Sequence, residues 1–233
     1  MKLKQNINQW LHIKTITIIF IMFIFLSGCF TRTKEGIIMI DPTDITIYDA
    51  TYDQLEELIL FWVSAAGKNG VTASKCLDKL LKHVCGPYGK PMESIFRANS
   101  LYDLPSIMKY CGMGCYTSKS RTFVELATKV LSGRFDLKTC STEELEEVYG
   151  IGMKTSRCFI IHTRRGARYA GLDTHLLKHL KEKGVENVPK STPNSRKEYL
   201  RLEKEFLKLV DDTGMEPAAY DLMIWNKYST RIK

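Results

Sequence analysis

The chain has no apolar run long enough for a comfortable membrane span, no sustained alternation of polar and apolar residues, and no internal repeat. Glycine and proline are scarce, 15 and 7 of 233 residues, which excludes a fibrous or low-complexity protein. The seven cysteines (29, 76, 85, 111, 115, 140 and 158) are odd in number and too sparse for a disulfide scaffold. Cys111 and Cys115 have neither a zinc spacing nor His or Cys partners nearby, so no metal site is expected. Reduced thiols in a reducing compartment fit better. What is present, 44% hydrophobic and 26% charged residues, describes a globular chain forming one large domain or two small ones sharing a cleft.

Acidic residues are the minority charge: 26 Asp and Glu against 34 Lys and Arg, a net +8. The excess is concentrated, since residues 150–233 carry 17 basic and 10 acidic side chains. A basic C-terminal part suits a polyanion, nucleic acid or an anionic membrane surface, although a solvated helix face rich in lysine has the same composition.

The first forty residues pose their own question. Lys2, Lys4 and Lys14 precede the apolar run Ile16–Leu26, and Leu26-Ser27-Gly28-Cys29 resembles a lipoprotein lipobox with Cys29 as the lipidation site. Two expectations follow. Either translation starts at Met39, leaving residues 1–38 outside a working protein of the cytoplasm and nucleoid, or Cys29 is acylated and the protein is membrane-anchored.

Beyond Met39 the periodicity is helical nearly throughout, with Ile37–Ile40 and Ile45–Tyr48 the only strand-like pieces. Thr51-x-x-Gln54 and Ser141-x-x-Glu144 are capping boxes, opening helices expected to end near Gly67 and at Tyr149-Gly150. Further helices are expected near 72–85, 92–98, 104–111, 118–131, 153–162, 174–183, 196–212 and 217–228, an all-α chain of nine or ten helices. His175 and His179 lie one turn apart with no Glu between them, and read as surface or cap-associated residues.

The segment from Ser141 to Leu180 carries the chemistry. Two short helices meet at Gly150-Ile151-Gly152, where glycines at both positions permit a sharp turn. Amides at the start of the second helix would then point outward and hold a phosphate without reading sequence. Lys154 follows within the first turn, and Asp173 is placed to cap the helix from Thr174. An ordinary packing corner, a surface lysine and a structural cap would look the same.

The run Leu145-Glu-Glu-Val-Tyr-Gly150-Ile-Gly152-Met-Lys154-Thr-Ser, followed by Gly171-Leu-Asp173-Thr-His175, resembles the helix-hairpin-helix DNA glycosylase superfamily, which includes endonuclease III and the 8-oxoguanine DNA glycosylases. Tyr116-Thr-Ser-Lys119-Ser is similar to that family's N-S-K-A segment. The resemblance covers most of residues 51–233, with the specific motif in about forty of them. It implies that Lys154 is a nucleophile, Asp173 its carboxylate partner nineteen positions on, and Gly150 and Gly152 the phosphate-binding hairpin. A lysine here marks bifunctional members, which break the glycosidic bond and then the strand.

The same resemblance implies a pocket for an extruded base, with Lys68 and Asn69 filling the gap it leaves, although a surface helix connection fits them equally. Pro217-Ala-Ala-Tyr-Asp221-Leu-Met-Ile-Trp225 resembles the tail of the archaeal-type 8-oxoguanine glycosylases, implying base recognition by Trp225 and Lys233; a core Trp is the alternative. No four-cysteine loop follows Asp173, so no iron–sulfur cluster and no other cofactor is expected. The expected architecture is two-lobed, with residues 39–66 and 164–233 in one lobe, 67–163 in the other, and Lys154 facing Asp173 across the cleft. The expected function is excision of an oxidised base from damaged double-stranded DNA, 8-oxoguanine before oxidised pyrimidines, and β-elimination at the abasic site, by a monomer. A non-catalytic DNA-binding module is the rival reading, and a lipid-anchored envelope protein that inherited the fold is a third.

Overall fold

A computed structural model describes residues 39–85 and 89–229. Expectations for Cys29, the rest of residues 1–38 and Lys233 fall outside them. The described residues form ten helices and no strand: α1 Tyr52–Ala65, α2 Gly70–Cys85, α3 Pro91–Leu101, α4 Leu104–Tyr110, α5 Tyr116–Leu131, α6 Thr142–Glu146, α7 Met153–Thr163, α8 Thr174–Glu182, α9 Arg196–Thr213 and α10 Pro217–Ser229. None is long and apolar enough to cross a membrane.

The local signals act as side-chain chemistry requires. Thr51 accepts from the Gln54 amide while Gln54 answers the Thr51 amide, and Ser141 and Glu144 repeat the exchange, so both capping boxes close. The helix after Ser141 is shorter than expected, because its backbone tightens beyond Glu146 and the Val148 carbonyl takes the Ile151 amide. Ile45–Tyr48 forms no strand. The Ile47 amide instead donates to the His162 carbonyl at the end of α7 (2.9 Å), which satisfies a helix-terminal acceptor.

Two apolar clusters organise the molecule. The first gathers Leu58, Ile59 and Phe61 of α1, Leu80 of α2, Ile95 of α3, Phe123 and Leu126 of α5, and Leu145, Val148 and Phe159 around the hairpin. The second joins Leu172, Leu176, Leu180, Tyr199, Phe206, Tyr220 and Ile224. The expected division put α1 with the C-terminal helices. Its buried residues lie in the first cluster, and it packs on α2, α3, α5 and α7.

A lysine from elsewhere closes α1. Lys119 of α5 is buried and donates to the Ser64 and Ala66 carbonyls (2.6 and 2.9 Å), occupying acceptors that the helix C-terminus leaves free. Burial holds its pKa below the ordinary lysine range.

Candidate active site

The hairpin between α6 and α7 is built on one glycine that is obligatory and one that is not. Gly150 has φ +79°, and a β-carbon there would sit 2.5 Å from the Thr122 hydroxyl of α5. Gly152 differs from the expectation. Its backbone is extended (φ −104°, ψ −179°) and a β-carbon would touch nothing, so the turn does not demand glycine. What its bare backbone leaves is open space before α7. Gly152 caps that helix without a side-chain hydrogen bond, and among the described residues no group accepts from the amides of Met153, Lys154 or Thr155. Three free donors at the positive end of a helix suit an anion.

Asp173 is the N-cap of α8, with both helical amides, His175 and Leu176, donating to its Oδ1 at 2.8 Å. Its Oδ2 receives no hydrogen bond among the described residues. Burial pushes the carboxyl above its ordinary range, the Lys154 ammonium opposes this, and the Asp221 carboxylate adds to it. The backbone reaches Asp173 by passing hard against α7: a β-carbon on Gly171 would lie 2.2 Å from Cys158 Sγ. Cys158 is itself buried, and burial pushes its thiol far up, so it stays protonated.

A buried ionic network, invisible in the sequence, holds this approach in place. Arg157, 2% exposed on α7, donates to Glu203 of α9 (2.9 Å) and to Glu146 at the end of α6 (2.5 Å). The same Glu203 oxygen accepts from the Ala170 amide (2.9 Å), and Tyr199 accepts from the Leu172 amide (3.1 Å) while donating to the Ala170 carbonyl (2.7 Å). Burial pushes the Glu203 carboxyl up, with the Ala170 amide and Arg157 restraining it. Hairpin, C-terminal lobe and the strap leading to Asp173 are thus tied at one point, which fixes where Asp173 sits relative to Lys154.

Lys154 and Asp173 open on one cavity of about 760 Å³, the scale of a nucleoside-sized ligand. Lys68, Asn69 and Trp225 line it as well. Lys68 is tied to the Gly112 carbonyl and approaches Cys76 Sγ (3.8 Å), and Asn69 caps α2 by accepting from the Val71 and Thr72 amides (3.0 and 3.3 Å). Sequence reasoning did not single out Trp62 and Asp221 as site residues, yet both face the cavity. Buried His162 stacks on Trp62 (5.3 Å between centroids) and shares hydrogen bonds with Thr46 Oγ1 (2.8 Å) and Asp221 Oδ2 (3.3 Å). The available signal was an acidic residue set among the buried apolar positions of α10.

Among the described residues no three His, Cys, Asp or Glu side chains converge as metal ligands. Of the two histidines on α8, His175 is partly buried and lies flat against Tyr228, whereas His179 is a core residue bonded to the Tyr220 hydroxyl (2.9 Å), not a surface one. Burial pulls the His179 pKa down, helped by Lys227 and Lys183.

No protein-family model and no curated protein matches the chain. Solved structures do. The 8-oxoguanine DNA glycosylase of Thermotoga maritima superposes with a TM-score of 0.58 at 22% identity, covering 77% of this chain and 82% of that one. The 8-oxoguanine glycosylase/lyase of Methanocaldococcus jannaschii, solved with a 15-mer DNA containing 8-oxoguanine, gives 0.60 at 18%, covering 79% and 85%. An endonuclease III trapped as a covalent DNA intermediate gives 0.54 at 16%, covering 75% and 74%. The all-helical fold is that of the helix-hairpin-helix glycosylases.

Proposed function

We propose that the protein is a DNA glycosylase with abasic-site lyase activity, acting on oxidised bases in duplex DNA, with 8-oxoguanine as first substrate. The observation that carries this reading is the shared cavity: an amine and a half-buried carboxylate both open on it, beside a helix start with free amides. The likeness to glycosylases solved with damaged DNA adds to it.

In this mechanism the hairpin amides hold a backbone phosphate, and the target nucleotide leaves the stack to enter the cavity. The Lys154 amine, neutral when it reacts, forms a bond to the deoxyribose C1′ as the bond from C1′ to the base breaks and the base leaves with the electron pair and acquires a proton. Asp173 stabilises positive charge developing on the sugar and receives a proton from the ammonium. The sugar ring opens to a Schiff base on Lys154, which acidifies the C2′ protons. Loss of one of them expels the 3′ phosphate by β-elimination. Trp225 offers a ring against which a purine can stack.

The test is borohydride reduction of the full chain on duplexes bearing 8-oxoguanine, thymine glycol or an abasic site. A covalent adduct is expected on 8-oxoguanine and the abasic site, and is lost in Lys154→Ala. A preference for thymine glycol replaces the substrate and keeps the chemistry. Tight duplex binding with no adduct on any duplex favours a binding module that keeps the hairpin for phosphates alone.

A further inference from the structure

The residue before the hairpin glycine is aromatic and exposed: Tyr149 keeps 40% of its surface in solvent. An apolar ring at a phosphate-facing turn asks for an explanation, and α5 supplies one. The Arg121 guanidinium lies over the Tyr149 ring, 3.9 Å from its centroid, the shortest cation-to-ring approach among the described residues. Two residues twenty-eight positions apart meet there because Thr122, next to Arg121, is the side chain against which Gly150 turns. The contact that forces glycine into the hairpin also brings the arginine to its flank.

Arg121 is otherwise uncommitted. It is exposed, and among the described residues its side chain makes no ion pair and no hydrogen bond. Glu125, one turn further along α5, shares a shallow depression with it but does not pair with it. A guanidinium set over a tyrosine ring, with no other partner among the described residues, keeps five N–H donors in one rigid planar fork. That is the geometry with which arginine grips a phosphate through two parallel bonds. The ring removes much of the side chain's freedom in advance, so less is lost when the phosphate arrives.

We propose that Arg121, presented by Tyr149, is a second backbone-phosphate clamp beside the hairpin, so that one DNA strand is held at two phosphates: one by the amides of α7 and one by this guanidinium. Arg121 and Tyr149 position the strand and touch no reacting atom. The proposal deepens the reading of the hairpin as a DNA-binding element and does not depend on Lys154 chemistry.

The test is fluorescence anisotropy of the full chain on a duplex carrying a tetrahydrofuran abasic analogue, which cannot form a Schiff base, over a series of salt concentrations. A protein arginine that neutralises one phosphate contributes about 0.9 to the slope of log K against log salt, which amounts to roughly eightfold in affinity at 0.1 M. Arg121→Gln is therefore expected to lower the slope by about 0.9 and weaken binding about eightfold. Tyr149→Ala, which leaves the charge and removes its platform, is expected to weaken binding about threefold with the slope retained. Tyr149→Phe keeps the ring and is expected to stay within twofold of the wild type. Arg121 is exposed and Phe is close to isosteric with Tyr, so both variants test binding in a folded protein.

A wild-type slope in Arg121→Gln, or wild-type affinity in Tyr149→Ala, overturns the clamp. Wild-type binding to this duplex without any borohydride adduct on lesion duplexes refutes the enzyme and leaves the clamp intact. Absence of all duplex binding refutes both.

Discussion

The carboxylate of Asp173 caps a helix and, in the proposed reaction, serves the Lys154 amine, and one substitution separates the two. Asp173→Asn keeps a side-chain oxygen for the His175 and Leu176 amides, whereas Asp173→Ala loses both of these 2.8 Å bonds. Losing an N-cap costs about 1 kcal/mol. In a domain of this size that corresponds to a melting temperature lower by about 2–4 °C in the Ala variant than in the Asn variant. The charge acts in the opposite direction. Burial raises the Asp173 carboxyl above its ordinary 3.8, more than Lys154 restores. A group whose folded pKa is raised contributes stability that is complete below the unfolded value and is lost as the pH climbs through the folded one. At pH 7 the ionised carboxylate is therefore held at a cost, and Asp173→Asn is expected to melt at or above the wild-type temperature. The difference should close as the pH is lowered toward 3.8. Borohydride trapping in the same variant should fall, because the amide carries no negative charge and accepts no proton from the amine. Differential scanning calorimetry of the three proteins between pH 4 and pH 8, with trapping alongside, decides the matter. If Asp173→Asn melts as low as Asp173→Ala at pH 7, the attraction of Lys154 outweighs the burial and the reasoning fails.

Arg157→Ala strips the buried Glu203 of its cation, whereas the half-buried Glu146 keeps Arg196 (2.8 Å), and should cost about 3–5 kcal/mol in urea melts; a loss under 1 kcal/mol would show that water enters and solvates the Glu203 carboxylate. Glu56, buried with its carboxylate on the Met92 amide (2.9 Å), has a pKa raised from 4.5 to about 7, chiefly by burial. Its contribution to stability is complete below pH 4.5 and fades as the pH rises through 7, so Glu56→Gln should raise the melting temperature at pH 8 and flatten its pH dependence between pH 5 and 8. Lys119→Met removes two bonds from the end of α1 and should destabilise by about 1–3 kcal/mol, measured by the same melts; hydrogen exchange should show the loss first at the Ala65 and Ala66 amides.

The parts of the structure that were legible in the sequence are those encoded within a few residues. Thr51 with Gln54, Ser141 with Glu144 and Asp173 with the following amides act over three positions, and each does in the fold what its spacing implies. Lys154 and Asp173 stand nineteen positions apart, and the structure puts both on one cavity. Relations between distant residues left no such trace. Arg157, Glu146 and Glu203 look like three surface charges until packing brings them together. The apolar positions of α1 announce a buried helix but not which neighbours bury it. Gly152 reads like Gly150 by type, and only backbone angles separate the glycine that makes the turn from the one that leaves room before a helix.

The contact between Gly171 and Cys158 sets a gauge. The backbone that delivers Asp173 rests on a single sulfur atom, with no gap into which a methyl group would fit. The distance between amine and carboxylate is therefore tied to the thickness of the side chain at position 158. A larger residue there would lift the strap and widen the gap; a smaller one would let it settle inward. In the proposed reaction, a change at either position would then read out as a shift in rate with Lys154 and Asp173 still in place. The pair behaves as a spacer in a machine, where the tolerance matters more than the material.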